Sequence, residues 1–198
     1  MIAVMKFLDQ LSAWIGKCFG WMIMVLTLGV SYEVFVRYVL RAPTTWAFDV
    51  SYMCYGALLL MTGAYTLSRN GHVRCDVLYR LYPARVQAAL DLTLYVIFFF
   101  PAVAALMYSG WNFASLSLRF RELSIFSPAG VPVFPLKILV PITGVTLFLQ
   151  GIAECLRCVV CMRQGYWPAR LHDVEETETI ILSHRQQAMA APAAGAPR

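Results

Sequence analysis

The chain has 198 residues, 60% of them apolar or aromatic and 14% charged, where a soluble domain carries about 25% charged residues. A mean hydropathy of +0.63 excludes a disordered chain, a collagen-like repeat and a soluble globule, and long uncharged runs point to an integral membrane protein. The net charge of +5 is scattered between apolar runs rather than gathered in one patch, which argues against a nucleic-acid partner.

Four segments reach the ~20 apolar residues needed to cross a bilayer. They are predicted at 14–36, 46–67, 88–108 and 135–160. The first is too long for the core of a signal peptide, and Ser31-Tyr32-Glu33 follows it rather than a cleavage site. Glu33 and Arg37 are four residues apart at its far end and can pair on one helix face. Asp49 opens the second span on the same side, so a Glu33/Arg37/Asp49 cluster is expected there, serving as an inter-helix or inter-subunit staple or as an interfacial anchor. Thr45 is the expected N-cap of the second span, and Asn70-Gly71 the turn that ends it.

Asp76–Tyr82 puts Val77, Leu78, Leu81 and Tyr82 on one face, the pattern of a short interfacial helix. Pro83 suits the first turn of the third helix, and Ser109–Phe134 reads as a longer loop with no long helix of its own beyond an extension of the third span. Residues 1–165 are expected to form the membrane domain and 166–198 a cytoplasmic tail, acidic at Asp173–Glu178 and disordered at its Ala/Pro-rich end. With the N-terminus inside, nine Lys/Arg fall on inner segments and five on outer ones, which places both termini in the cytoplasm.

Small residues let helices approach closely. Asp49, Gly56 and Gly63 recur every seven residues on one face of the second span; Gly144 and Gly151 do so in the fourth, and Gly16/Gly20 form GxxxG. These faces serve contacts within the chain or with a partner. Cys155, Cys158 and Cys161 share one helix face, and a thiol or quinone oxidoreductase built on them is the alternative to a transport or scaffold role. The three histidines, His72, His172 and His184, lie outside the spans, so the haem reading falls. No nucleotide, hydrolase or metalloprotease motif appears, and neither enzyme activity nor a cofactor is expected. No carboxylate falls at a span midplane, which argues against a proton relay through this chain.

Three stretches together resemble a known pattern: Phe35-Val-Arg-Tyr-Val-Leu-Arg41, Trp46-Ala-Phe-Asp49, and Gly63 to Asp76 with its His72-Val73-Arg-Cys-Asp76 ending. Pro135-Leu-Lys137 to Pro141 and Leu149-Gln150 continue it. This order is similar to the small permease (Q) subunit of tripartite ATP-independent periplasmic (TRAP) transporters, across roughly residues 20–160. Asp49 stands where the family more often has Glu, and the tail beyond Arg163 is longer than in a minimal member. The resemblance implies an all-α fold of four transmembrane helices in a bacterial inner membrane. It implies a large permease subunit that holds the sodium and solute sites, and a periplasmic binding protein that delivers a carboxylate-type solute. The small subunit then acts as scaffold and helps dock the binding protein.

Overall fold

A computed structural model describes residues 1–71, 79, 82–168 and 170. The fold is all-α, with four helical rods long and apolar enough to cross a membrane. The first rod is α1 (Ile2–Gly20) followed by α2 (Met22–Tyr38). Trp21 interrupts the hydrogen-bond ladder, but its φ of −64° and ψ of −18° keep the chain helical. The second is α3 (Ala47–Ser68). The third joins α4 (Ala84–Leu94), a π turn (Tyr95–Phe99) and α5 (Phe100–Phe120). The fourth is α6 (Phe134–Gln164).

The first and third rods each hold 37 residues, about 55 Å at 1.5 Å per residue, well beyond a ~30 Å hydrocarbon core. The first helix therefore starts twelve residues before the predicted span at 14, and the third continues from 108 to Phe120. Apolar pattern locates the stretch that lipid covers; it does not see amphipathic turns that continue the helix past the membrane. The π turn has a local cause: Pro101 has no N–H and its ring crowds the carbonyl of Ile97 four residues back. The ladder widens there, with Phe100 N–H bonding to Tyr95 O.

Helix ends follow elementary rules, with one departure. Asn70 (φ 56°) closes α3 as a left-handed cap, with Gly71 N donating to Thr66 O at 2.9 Å and Asn70 N to Leu67 O at 3.1 Å. Arg121 (φ 43°) closes α5 in the same way, and Gly165 (φ 83°) closes α6. The expected Thr45 cap is not formed; Trp46 takes that position without a side-chain hydrogen bond. Thr44 is the threonine with a role, but it bonds back to Glu33 on α2. Pro83 sits at the N-cap of α4, one place before the expected first turn.

Packing fixes the topology. Gly56 meets Leu136, Met61 meets Thr143 and Gly63 meets Leu147, so α3 and α6 run parallel. Gly110 meets Val140, Gly144 meets Met107 and Gly151 meets Phe99, so the third rod is antiparallel to α6. Gly16 meets Tyr65, and the rings of Tyr32 and Trp46 stack at 6.3 Å, so the first rod is antiparallel to α3. Both termini of the helical domain therefore lie at one end of the bundle. The interfacial helix predicted at 76–82 falls outside the described residues apart from Tyr79 and Tyr82, as does the tail beyond 170.

Candidate functional site

Two polar clusters occupy opposite ends of the bundle. At the end that holds both termini, Asp9 and Ser12 of α1 face Gln150, Glu154 and Arg157 of α6, all buried. Their spacings, three along α1 and then four and three along α6, set each group on one helix face. Arg157 ion-pairs with both Asp9 and Glu154. Gln150 donates to Asp9 Oδ1 at 2.9 Å and accepts from Ser12 Oγ at 2.8 Å. After the Gly165 turn the chain folds back over the helix ends. Trp167 packs on Ala88, Cys158 and Cys161 and donates to Gln87. Arg170 then pairs with Glu154 at 2.9 Å and donates to the carbonyls of Leu67 and Ser68 at 3.3 and 3.2 Å. It thus satisfies orphan carbonyls at the end of α3. Two carboxylates meet two guanidiniums, so the cluster is neutral and internally satisfied. Such a group fastens helices together; it offers no spare charge to a ligand.

At the opposite end the charges form separate pairs. Glu33 accepts from Arg37 Nη2 at 2.7 Å and from the Thr44 hydroxyl, which holds α2 to the turn before α3. Trp46 stacks on Tyr32 in that same junction. Asp49 is elsewhere: it is 2% exposed, and it accepts hydrogen bonds from Ser124 Oγ at 2.7 Å and from Ser127 Oγ. The expected Glu33/Arg37/Asp49 cluster is therefore two sites. Asp49 shares the face of Gly56 and Gly63, which turns toward α6 and its preceding loop, whereas α2 lies on another side of α3. Exchanging Arg37→Glu and Asp49→Arg together is accordingly expected to rescue nothing. Assembly measured by co-purification should fall at least as far in the double variant as in the worse single one, and recovery in the double would contradict the separation.

The loop 121–133 is itself ordered by a short antiparallel pairing. Ser124 N donates to Val131 O at 2.8 Å and Val133 N to Glu122 O at 3.0 Å. Glu122 pairs with Lys137 at 2.5 Å, and that ammonium also lies 4.2 Å from the Phe113 ring centre. The Lys137 ammonium holds the Glu122 carboxyl below the usual glutamate range. A lowered folded-state value means that the pair contributes fully above the unfolded glutamate value of about 4.3 and is lost as pH falls through the folded value. Amide protection in the 121–133 loop, measured relative to the intrinsic exchange rate at each pH, should thus be flat from neutral pH down to about pH 5 and fall below about pH 4. Glu122→Gln should remove that acid dependence; an unchanged acid loss of protection in the variant would contradict the assignment.

Of the glycines of the sequence analysis, Gly16, Gly56, Gly144 and Gly151 sit at close contacts inside the chain, whereas nothing lies near Gly20. A Cβ on Gly56 would lie 2.9 Å from Leu136 Cδ1, one on Gly144 2.5 Å from Met107 Cγ, and one on Gly151 against the Phe99 ring; Gly63 has ordinary clearance, 3.8 Å from Leu147. His72, Val73 and Asp76 lie outside the described residues. Of the three cysteines on α6, Cys158 and Cys161 are buried, and Cys161 Sγ lies 3.6 Å from Ala84 O. These are packing positions between α4 and α6. Sequence reasoning missed the Asp9–Gln150–Glu154–Arg157–Arg170 cluster. Its signal was present as polar residues at 150, 154 and 157, one stripe on an otherwise apolar helix.

Residues 26–161 match the family described as tripartite ATP-independent periplasmic transporters, DctQ component. The chain belongs to the DctQ family. A DctQ component is a part of a TRAP transporter, and with four membrane-crossing rods this one is a multi-pass membrane protein. The match contains Gln150, Glu154 and Arg157, while Asp9, Ser12 and Arg170 fall beyond its limits. No individual curated protein matches the chain.

Proposed function

We propose that this DctQ chain is the static small subunit of a sodium-driven TRAP uptake system for a carboxylate-type solute. It anchors the large permease subunit in the bacterial inner membrane, keeps both termini in the cytoplasm, and helps dock the periplasmic binding protein. The observation that carries this reading is the state of the buried carboxylates. Asp9, Asp49 and Glu154 each already have partners within the chain. None of these three is free to bind sodium or a solute, which favours placing those sites in the larger subunit. Meanwhile the welded cluster joins α1, α3 and α6 into a unit suited to stand still while another domain moves. Both 37-residue rods present exposed apolar side chains along their length, Phe7, Trp14 and Leu28 on the first and Phe98 and Trp111 on the third.

Reconstitution in liposomes tests this. A sodium gradient should drive uptake only when this chain, the large subunit encoded beside it and the cognate binding protein are all present. Uptake by this chain alone would overturn the reading.

A further inference from the structure

The segment Ser124-Ile125-Phe126-Ser127 has a particular design. Its two outer members turn inward, and both hydroxyls end on the buried carboxylate of Asp49. Ser124 Oγ also accepts from Phe126 N at 3.2 Å, which fixes the backbone between them. The two middle members consequently face outward: Ile125 is 89% exposed and Phe126 70%. A buried carboxylate is an expensive fastener for a loop that has nothing to present.

The depth of this tip identifies what it meets. The 22 residues of α3 span about 33 Å, close to the ~30 Å of a hydrocarbon core, so the first turn of α3 marks a membrane boundary. Phe126 sits at that level, with its ring edge-on to Phe48 of the first turn at 6.3 Å. Phe48 itself is exposed, in the position where aromatic side chains line the interface. By helical rise Arg119 and Arg121, both exposed, lie about 9–12 Å beyond the Lys137–Phe113 level, and Phe48 lies about 12 Å beyond the adjoining Gly56–Leu136 level, so the two guanidiniums stand at the height of the tip.

We propose that Asp49, through Ser124 and Ser127, clamps Ile125 and Phe126 as an apolar tip inserted into the bilayer interface on that side, with Arg119 and Arg121 beside it to meet lipid phosphates. The tip pins the loop end of the bundle to the lipid surface and so fixes the height and tilt of the scaffold. The proposal requires only that the rods cross a membrane; it stands or falls independently of the transport reading.

A spin label on Ile125→Cys tests it, in the full chain with its six native cysteines changed to alanine and reconstituted in phosphatidylglycerol/phosphatidylethanolamine nanodiscs. Because the side chain is exposed, the label leaves the packing intact. The expected result is a collision rate with oxygen several-fold above that with a water-soluble nickel chelate. A rate dominated by nickel would place the tip in water, and protection from both reagents would place it against protein; either overturns the proposal. Ser124→Ala combined with Ser127→Ala should then shift the ratio toward nickel, and an unchanged ratio would overturn the clamp.

Discussion

Arg157→Ala is expected to cost about 3–5 kcal/mol, the usual effect of removing one partner from a buried ion pair. The guanidinium is 2% exposed and is shared by Asp9 and Glu154. Among the described residues, its removal leaves Asp9 with only Gln150 and Glu154 with only Arg170 and Gln150 as side-chain partners. Both carboxylates then sit where water cannot replace the lost charge. The damage comes from what is left behind, so a neutral set should recover much of it. Asp9→Asn with Arg157→Gln removes one charge of each sign and keeps the Glu154–Arg170 pair, so this double variant should be more stable than Arg157→Ala alone. Thermal unfolding in detergent measures both. A single variant as stable as the parent would show that the cluster is not a weld.

The second large effect is expected at Gly16. A Cβ there would collide with Cβ and Cγ of Tyr65. The Tyr65 Cβ is fixed by the α3 backbone, so no rotamer change relieves the contact, and the helices themselves must separate. Overpacking of this kind costs about 1–3 kcal/mol, and Gly16→Ala should reach the upper part of that range. Gly20 supplies an internal control, because nothing lies within 4 Å of a Cβ placed on it. Gly20→Ala should be neutral or stabilising by up to about 1 kcal/mol, since alanine loses less conformational entropy in a helix. The two glycines form one GxxxG motif, yet only Gly16 makes a close contact within the chain. Equal melting temperatures for the two variants would contradict this packing.

The sequence made some of this legible and hid the rest for physical reasons. Hydropathy located all four rods, and the cap chemistry of Asn70 placed the end of α3 correctly. The seven-residue glycine spacing identified real contact faces, and the structure supplied their partners, Leu136, Leu147, Met107 and Phe99. Glu33 and Arg37 pair because their spacing is local. Asp49 bonds across 75 residues to Ser124, and no helical period encodes a loop closure of that length. The buried cluster escaped for another reason. Asp9 and Arg157 each lie near the end of an apolar run, where a charge ordinarily faces water, and only the close approach of α1 to α6 encloses them. Reading 150, 154 and 157 as a stripe would have indicated a buried polar face on α6, though not its partner on α1.

If this chain works as the fixed partner of a larger permease, the two should be isolated together. The direct measurement is to express it, affinity-tagged, together with the proteins encoded beside it and to identify what co-purifies in detergent. A large polytopic membrane protein is expected in stoichiometric amount, lost or sharply reduced with Arg157→Ala. Recovery of this chain alone, folded and monodisperse, would contradict it.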